Sequence, residues 1–250
     1  MLNAALIAAI VIEIGLPFLL GVWLIRRYRT GWFLFLVGVL TFIGSQVLHL
    51  PAVYGLTALF QTGALPTPPP AVLPYFNAVL LGLLAGLFEE TARWVGYRLL
   101  KDRGNSWGAA LTLGAGHGGV ESILVGVSVL VSFISNPGML ALSPLAWYDP
   151  LAGALERIIA ISLHITLSVM VWLAVSRRRW LWFAAAVLWH AALDFVAVLL
   201  SGMGAGMWAI EGALSLFLVV NLVLLAVMHR YARRTGAPVE AVPAALEEGV

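Results

Sequence analysis

Tyr75–Leu100 reads YFNAVLLGLLAGLFEETARWVGYRLL, an apolar run interrupted by Glu89, Glu90 and Arg93. As a helix it rises about 39 Å, more than enough to cross a hydrocarbon core of roughly 30 Å. Charged side chains at that depth cost about 2.5–3.5 kcal/mol each on insertion scales, so they face protein rather than lipid and mark a candidate site. The reading of this stretch as a membrane span sets the fold class, and the rest of the chain agrees with it.

Of 250 residues, 62% are hydrophobic and 10% charged, where a soluble domain carries about 25% charged residues. Outward from Tyr75–Leu100, six more spans follow the same pattern, giving seven at about 3–25, 31–58, 75–100, 107–134, 151–175, 180–200 and 208–228. The expected fold is all-α, a polytopic membrane helical bundle: one integral-membrane domain over 1–234, its central helices within about 75–200, and a short solvated tail at 235–250. The first span has no basic region ahead of it and is followed by Arg26, Arg27 and Arg29, the reverse of a cleavable signal peptide. Lys101/Arg103, Arg177/Arg178/Arg179 and Arg230/Arg233/Arg234 fall after spans three, five and seven, whereas the intervening connections lack Lys and Arg. Positive charge marks the cytoplasmic side, so the N-terminus is expected outside and the C-terminus inside, in the inner (cytoplasmic) membrane.

The net charge of +2 comes from these end clusters and gives no sign of nucleic-acid binding; the expected surroundings are the lipid bilayer. Cysteine is absent, which excludes disulfides, thiolate nucleophiles and Cys-type zinc sites. His, Glu and Asp are left to carry any acid–base or metal chemistry.

Counting inward from the basic markers places several of them at one depth. Glu89 and Glu90 lie 12 and 11 residues before Lys101, and His117 lies 14 after Arg103. His164 lies 13 before Arg177, while His190 and Asp194 lie 11 and 15 after Arg179. All are roughly 16–22 Å from the inner anchors, near mid-membrane. His117/Glu121, His190/Asp194 and Glu89/Arg93 are each four apart, and so share a helix face; the last spacing lets Arg93 neutralise or orient one carboxylate. Gly82/Gly86 and Gly114/Gly118 are spaced for close helix packing, and predict that spans three and four meet tightly beside the polar residues.

Taken singly, an intramembrane His or Asp serves a helix–helix hydrogen bond as readily as a site; the shared depth is what argues for a site. Glu13 reads as a structural partner, and Glu156, Arg157 and Glu211 as structural or rim charges, although Glu156 is two turns from His164. Gln46 and His49 are given no role, and His229 belongs to the inner basic cluster. Buried Glu, His and Asp suit a hydrolase and equally a proton-coupled or metal-ion transporter, although the chain has no internal repeat of the transporter kind. A non-catalytic module, such as a haem site held by paired histidines, fits less well with adjacent buried carboxylates.

Glu89-Glu90-x-x-Arg93, Gly-x-Gly-His117-Gly-Gly-x-Glu121-Ser122, Glu156-Arg157 ahead of His164, and His190-x-x-x-Asp194 together resemble the YhfC family of intramembrane metalloproteases. That family is grouped with the PrsW proteases and the CAAX-protease and bacteriocin-processing proteins. CAAX-type members carry Glu-Glu-x-x-x-Arg and Phe-x-x-x-His; here one residue fewer separates the glutamates from Arg93, and Gly114-Ala115-Gly116 precedes His117. The YhfC pattern fits better, so prenylated substrates are not implied. The resemblance implies hydrolysis of a membrane-embedded or membrane-tethered peptide, with Glu89, Glu90, Arg93, His117, Glu121, His190 and Asp194 in catalysis. It implies a divalent metal, zinc being the expected ion, with His117, His164, His190, Glu90 and Asp194 as candidate ligands. A metal-free route, in which a glutamate activates water directly, stays open beside it, as does the choice between Glu89 and Glu90 as base.

Overall fold

Backbone amides inside a hydrocarbon layer find no water, so each segment must satisfy its own, and helix is the structure that does so. The computed structural model describes residues 1–135, 146–236 and 238, and its regular elements among these are all helical. Seven helices are long and apolar enough to cross a membrane: α1 (Leu2–Tyr28), α2 (Trp32–Gln61), α3 (Leu73–Leu100), α4 (Trp107–Ser135), α5 (Pro150–Ser176), α6 (Trp180–Gly202) and α7 (Met207–Arg234). The expected spans agree to within a few residues, except that α7 runs on through the inner basic cluster. Most of the outer connection before Pro150, and all of the 235–250 tail but Thr235, Gly236 and Pro238, lie outside the described residues.

Local chemistry sets the ends. Ser106 Oγ accepts the Ala109 amide at 3.0 Å and caps α4, as serine does at helix starts. Pro74 and Pro150 sit in the first turns of α3 and α5, where a missing amide hydrogen costs nothing. A short 3-10 turn, Lys101–Gly104, joins α3 to α4.

The most enclosed helix is α5, buried along most of Ile159–Ala174. The inner half of α4, Trp107–Gly119, is buried throughout and lies among α1, α2 and α5, while α3 packs chiefly along α6. Glycine makes these approaches possible. A Cβ on Gly38 would stand 2.1 Å from the Leu113 carbonyl oxygen, and one on Gly116 would stand 2.0 Å from the Phe35 carbonyl oxygen, so α2 and α4 touch backbone to backbone. Gly82 and Gly86 receive the α6 backbone at Ala191 and Val187. Gly114 and Gly118 receive α5 at Ile165 and His164. The expectation that these two pairs bring α3 against α4 is therefore corrected: each helix uses its glycines on a different neighbour. Spacing shows a helix where it can be approached closely and does not say by which neighbour.

Candidate active site

Adjacent residues on a helix point about 100° apart, so Glu89 and Glu90 on α3 cannot share a partner. Glu90 is fully buried, with Arg93 at one oxygen and His190 Nδ1 at the other, 2.9 Å away. Arg93, also fully buried, reaches on to His164 Nδ1 at 3.1 Å. Arg93 thus orients one carboxylate, as expected, and that carboxylate is Glu90 rather than the glutamate four positions away. The arginine pairs at i,i+3 with Glu90, because His190 from α6 and His164 from α5 complete that side.

Glu89 turns the other way. Its Oε1 accepts from Gln46 Nε2 at 3.2 Å, and its Oε2 lies 3.1 Å from His117 Nε2 on α4. The far side of the His117 ring meets Thr41: Nδ1 is 3.0 Å from Thr41 Oγ1, which donates to Gly38 O at 2.7 Å. Phe42 stands edge-on to the same imidazole, at 5.3 Å between ring centroids. Three contacts to this half of the site thus come from α2, a helix from which sequence reasoning drew nothing. At roughly 1.5 Å per residue α2 is about 45 Å long, and Gln46 lies near its middle. Its length was the available signal.

Toward the other end of the site, Glu121 accepts from His164 Nε2 at 2.7 Å and from Arg157 Nη1 at 2.7 Å. Arg157 also pairs with Glu156. Of the structural and rim readings, Arg157 takes the structural one, buried and holding Glu121, while Glu156 stays partly exposed. His190 Nε2 faces Asp194 Oδ2 at 3.6 Å. The three rings form a row, His117 to His164 at 4.9 Å and His164 to His190 at 5.4 Å between centroids. Two linked sets result. One is the ionic chain Glu156–Arg157–Glu121–His164–Arg93–Glu90–His190, with Asp194 at its end. The other is Gln46–Glu89–His117–Thr41.

Glu13 and Glu211 are buried, each with one oxygen lacking a hydrogen-bond partner among the described residues. Glu13 lies near the middle of α1, its oxygens 3.2–3.3 Å from where a Cβ would stand on Gly153 and Gly126. His49 stacks on Phe88 at 5.8 Å. A groove of about 800 Å³ runs between α2 and α3 past Thr41, Gly44, Ser45, Phe88 and Thr91. Exposed Leu40, Leu48 and Leu87 line it too, so it opens on the flank of the bundle.

Could this cluster hold a metal? Glu89, His117 and His164 are all buried and each offers one ligand atom within 4.8 Å of the others. The Glu89 Oε2 to His117 Nε2 separation of 3.1 Å is close to the roughly 3.3 Å between two ligands of one tetrahedral zinc with bonds near 2.0–2.1 Å. His164 has both nitrogens engaged, by Arg93 and Glu121, and both Glu90 oxygens are taken. The donor types fit a divalent ion, with Glu89 and His117 the pair most ready to receive it.

Similarity to known proteins points the same way. The family model described as YhfC intramembrane metalloprotease matches residues 10–140 and 135–214. A curated relative, the uncharacterized membrane protein YhfC of Bacillus subtilis (strain 168), is 32% identical over 207 residues, covering 74% of this chain and 79% of its own length. No solved structure matches.

Proposed function

The chain belongs to the YhfC intramembrane metalloprotease family, and on that premise we propose that it is a peptidase that hydrolyses membrane-embedded or membrane-tethered peptides at the Glu89–His117 pair. The observation that carries this reading is the 3.1 Å contact between Glu89 Oε2 and His117 Nε2, buried among the helices. Glu89 is the base. Apart from His117 it has one neutral donor, Gln46, so an oxygen remains able to take a proton from water. Glu90 is a positioning residue, because Arg93 and His190 saturate it.

His117 would be the first metal ligand, with Glu89 beside it, while His190 and Asp194 stand beyond His164 as further donors at the far end of the ring row. A divalent ion held there would acidify a water toward a pKa of about 7 and polarise the scissile carbonyl. His164, fixed between Arg93 and Glu121, holds the row in order, and Arg157 anchors Glu121. We place the N-terminus outside and the C-terminus inside the inner membrane, from the basic clusters. In this reading residues 1–234 act as one membrane domain, followed by the tail.

Comparing the N-termini of membrane-fraction peptides from cells expressing wild type and Glu89→Gln tests the assignment. Cleavage products present with wild type should vanish with Glu89→Gln, and with wild type stripped by a chelator, and return on adding zinc. Products unchanged in Glu89→Gln would sink the peptidase reading. Loss in Glu89→Gln with indifference to chelator would support the metal-free route.

A further inference from the structure

We infer that Thr41 is a positioning residue that fixes the tautomer of His117, keeping hydrogen on Nδ1 and leaving Nε2 as a bare lone pair aimed at Glu89. The inference rests on the proposed peptidase reading for its purpose, though not for its geometry.

The Thr41 hydroxyl has one hydrogen for two contacts. Thr41 Oγ1 lies 2.7 Å from Gly38 O and 3.0 Å from His117 Nδ1. A carbonyl oxygen has no hydrogen to give, so the single hydroxyl hydrogen occupies the shorter contact. That bond back to the carbonyl three residues earlier is a habitual one for helical threonine. Toward His117 the hydroxyl can then only accept, so Nδ1 carries the hydrogen. In a neutral imidazole the other nitrogen is unprotonated.

Nε2 therefore meets Glu89 Oε2 at 3.1 Å as one acceptor facing another. Such a contact needs a positive centre between its members: a proton on Glu89, or a cation bound by both. The neighbouring rings are held differently. Arg93 only donates, so His164 Nδ1 accepts and its Nε2–H goes to Glu121. Glu90, paired with Arg93, accepts Nδ1–H of His190. Of the three imidazoles, His117 alone is oriented by a neutral residue and presents its lone pair to a carboxylate with no arginine on it. In effect Thr41 relays the Gly38 carbonyl to the ring, the task that carboxylates or carbonyls perform directly behind many metal-bound histidines.

Removing the hydroxyl reverses the arrangement. In Thr41→Val, Nδ1–H would be buried without an acceptor, a costly state for a polar group. The ring relieves this by moving its hydrogen to Nε2 and donating it to Glu89, which closes the gap to a cation. Thr41→Ser keeps the hydroxyl.

The test is ¹⁵N NMR of full-length, chelator-treated protein labelled at histidine in lipid nanodiscs, with the His117 signals identified by their loss in His117→Gln. Expected are a protonated Nδ1 and bare Nε2 in wild type and Thr41→Ser, and the opposite in Thr41→Val. Zinc titration of the same samples should show Thr41→Val weakened by about 10–100-fold, with Thr41→Ser near wild type. A bare Nδ1 in wild type, or no change of tautomer in Thr41→Val, overturns the inference. If Thr41→Val does not fold, the wild-type and Thr41→Ser spectra decide it alone. Zinc failing to bind wild type, with the tautomers as stated, would instead remove the metal from the proposed function and leave the inference standing.

Discussion

Gly38→Ala is the smallest change that reaches the site without touching any of its side chains. The added Cβ would stand 2.1 Å from the Leu113 carbonyl oxygen, about 1.3 Å short of the 3.4 Å at which such contacts become ordinary. It would also lie 2.9 Å from the His117 amide nitrogen. The obstacle is backbone on both sides, so no rotamer change relieves it, and α2 must withdraw from α4 by about an ångström. Thr41 Oγ1 starts 3.0 Å from His117 Nδ1, so a withdrawal of that size takes this contact between α2 and α4 beyond hydrogen-bond length. A misplacement near 1 Å is worth about 10²-fold in rate, and the overpacking itself costs about 1–3 kcal/mol. The assay is the rate of Glu89-dependent cleavage beside thermal unfolding in the same lipid. Gly44→Ala, on the same helix with nothing within 4 Å of its Cβ, is the control and should lose neither. Wild-type cleavage by Gly38→Ala would refute the argument that backbone contact between α2 and α4 holds the site.

Two further outcomes follow from the same geometry. Glu90→Ala leaves Arg93 buried without its carboxylate, a loss that costs about 3–5 kcal/mol, whereas Glu89→Gln removes no arginine partner. Melting temperatures should separate the two variants, and equal stability would show that Glu90 is not the scaffold. The chain has no native cysteine, so single cysteines at Gly63 and Asp102 report topology cleanly. An impermeant maleimide on intact cells should label the Gly63 position at once and the Asp102 position only after permeabilisation; the reverse pattern would invert the proposed orientation.

The helices were legible because lipid imposes a length and a composition on each of them, and because arginine clusters such as Arg177–Arg179 punctuate the chain. The polar residues of α3 to α6 were legible for a related reason. Glu90 or His190 in an apolar helix is expensive enough to stand out, and distance from a basic marker gives its depth. Thr41 and Gln46 had no such signal. A threonine that bonds back to its own helix costs little in lipid, so its second contact, to His117, leaves no trace in one sequence. The Arg93 pairing failed to show for another reason. Spacings of three and four are both on one face, and the choice between Glu89 and Glu90 was made by His190 on α6 and His164 on α5. Arg157 looked peripheral because it lies near the start of its helix, and its carboxylate partner, Glu121, comes from α4.

The groove between α2 and α3 gives a chemist a second way in. A chelating inhibitor has to enter a buried polar cluster and compete with whatever ion is there, so added zinc would blunt it. An apolar compound seated in the groove would instead press on Thr41 and Ser45 from the lipid side, displacing the residue that orients His117 without approaching the ion. Its potency would be indifferent to added zinc and sensitive to the membrane in which the protein sits.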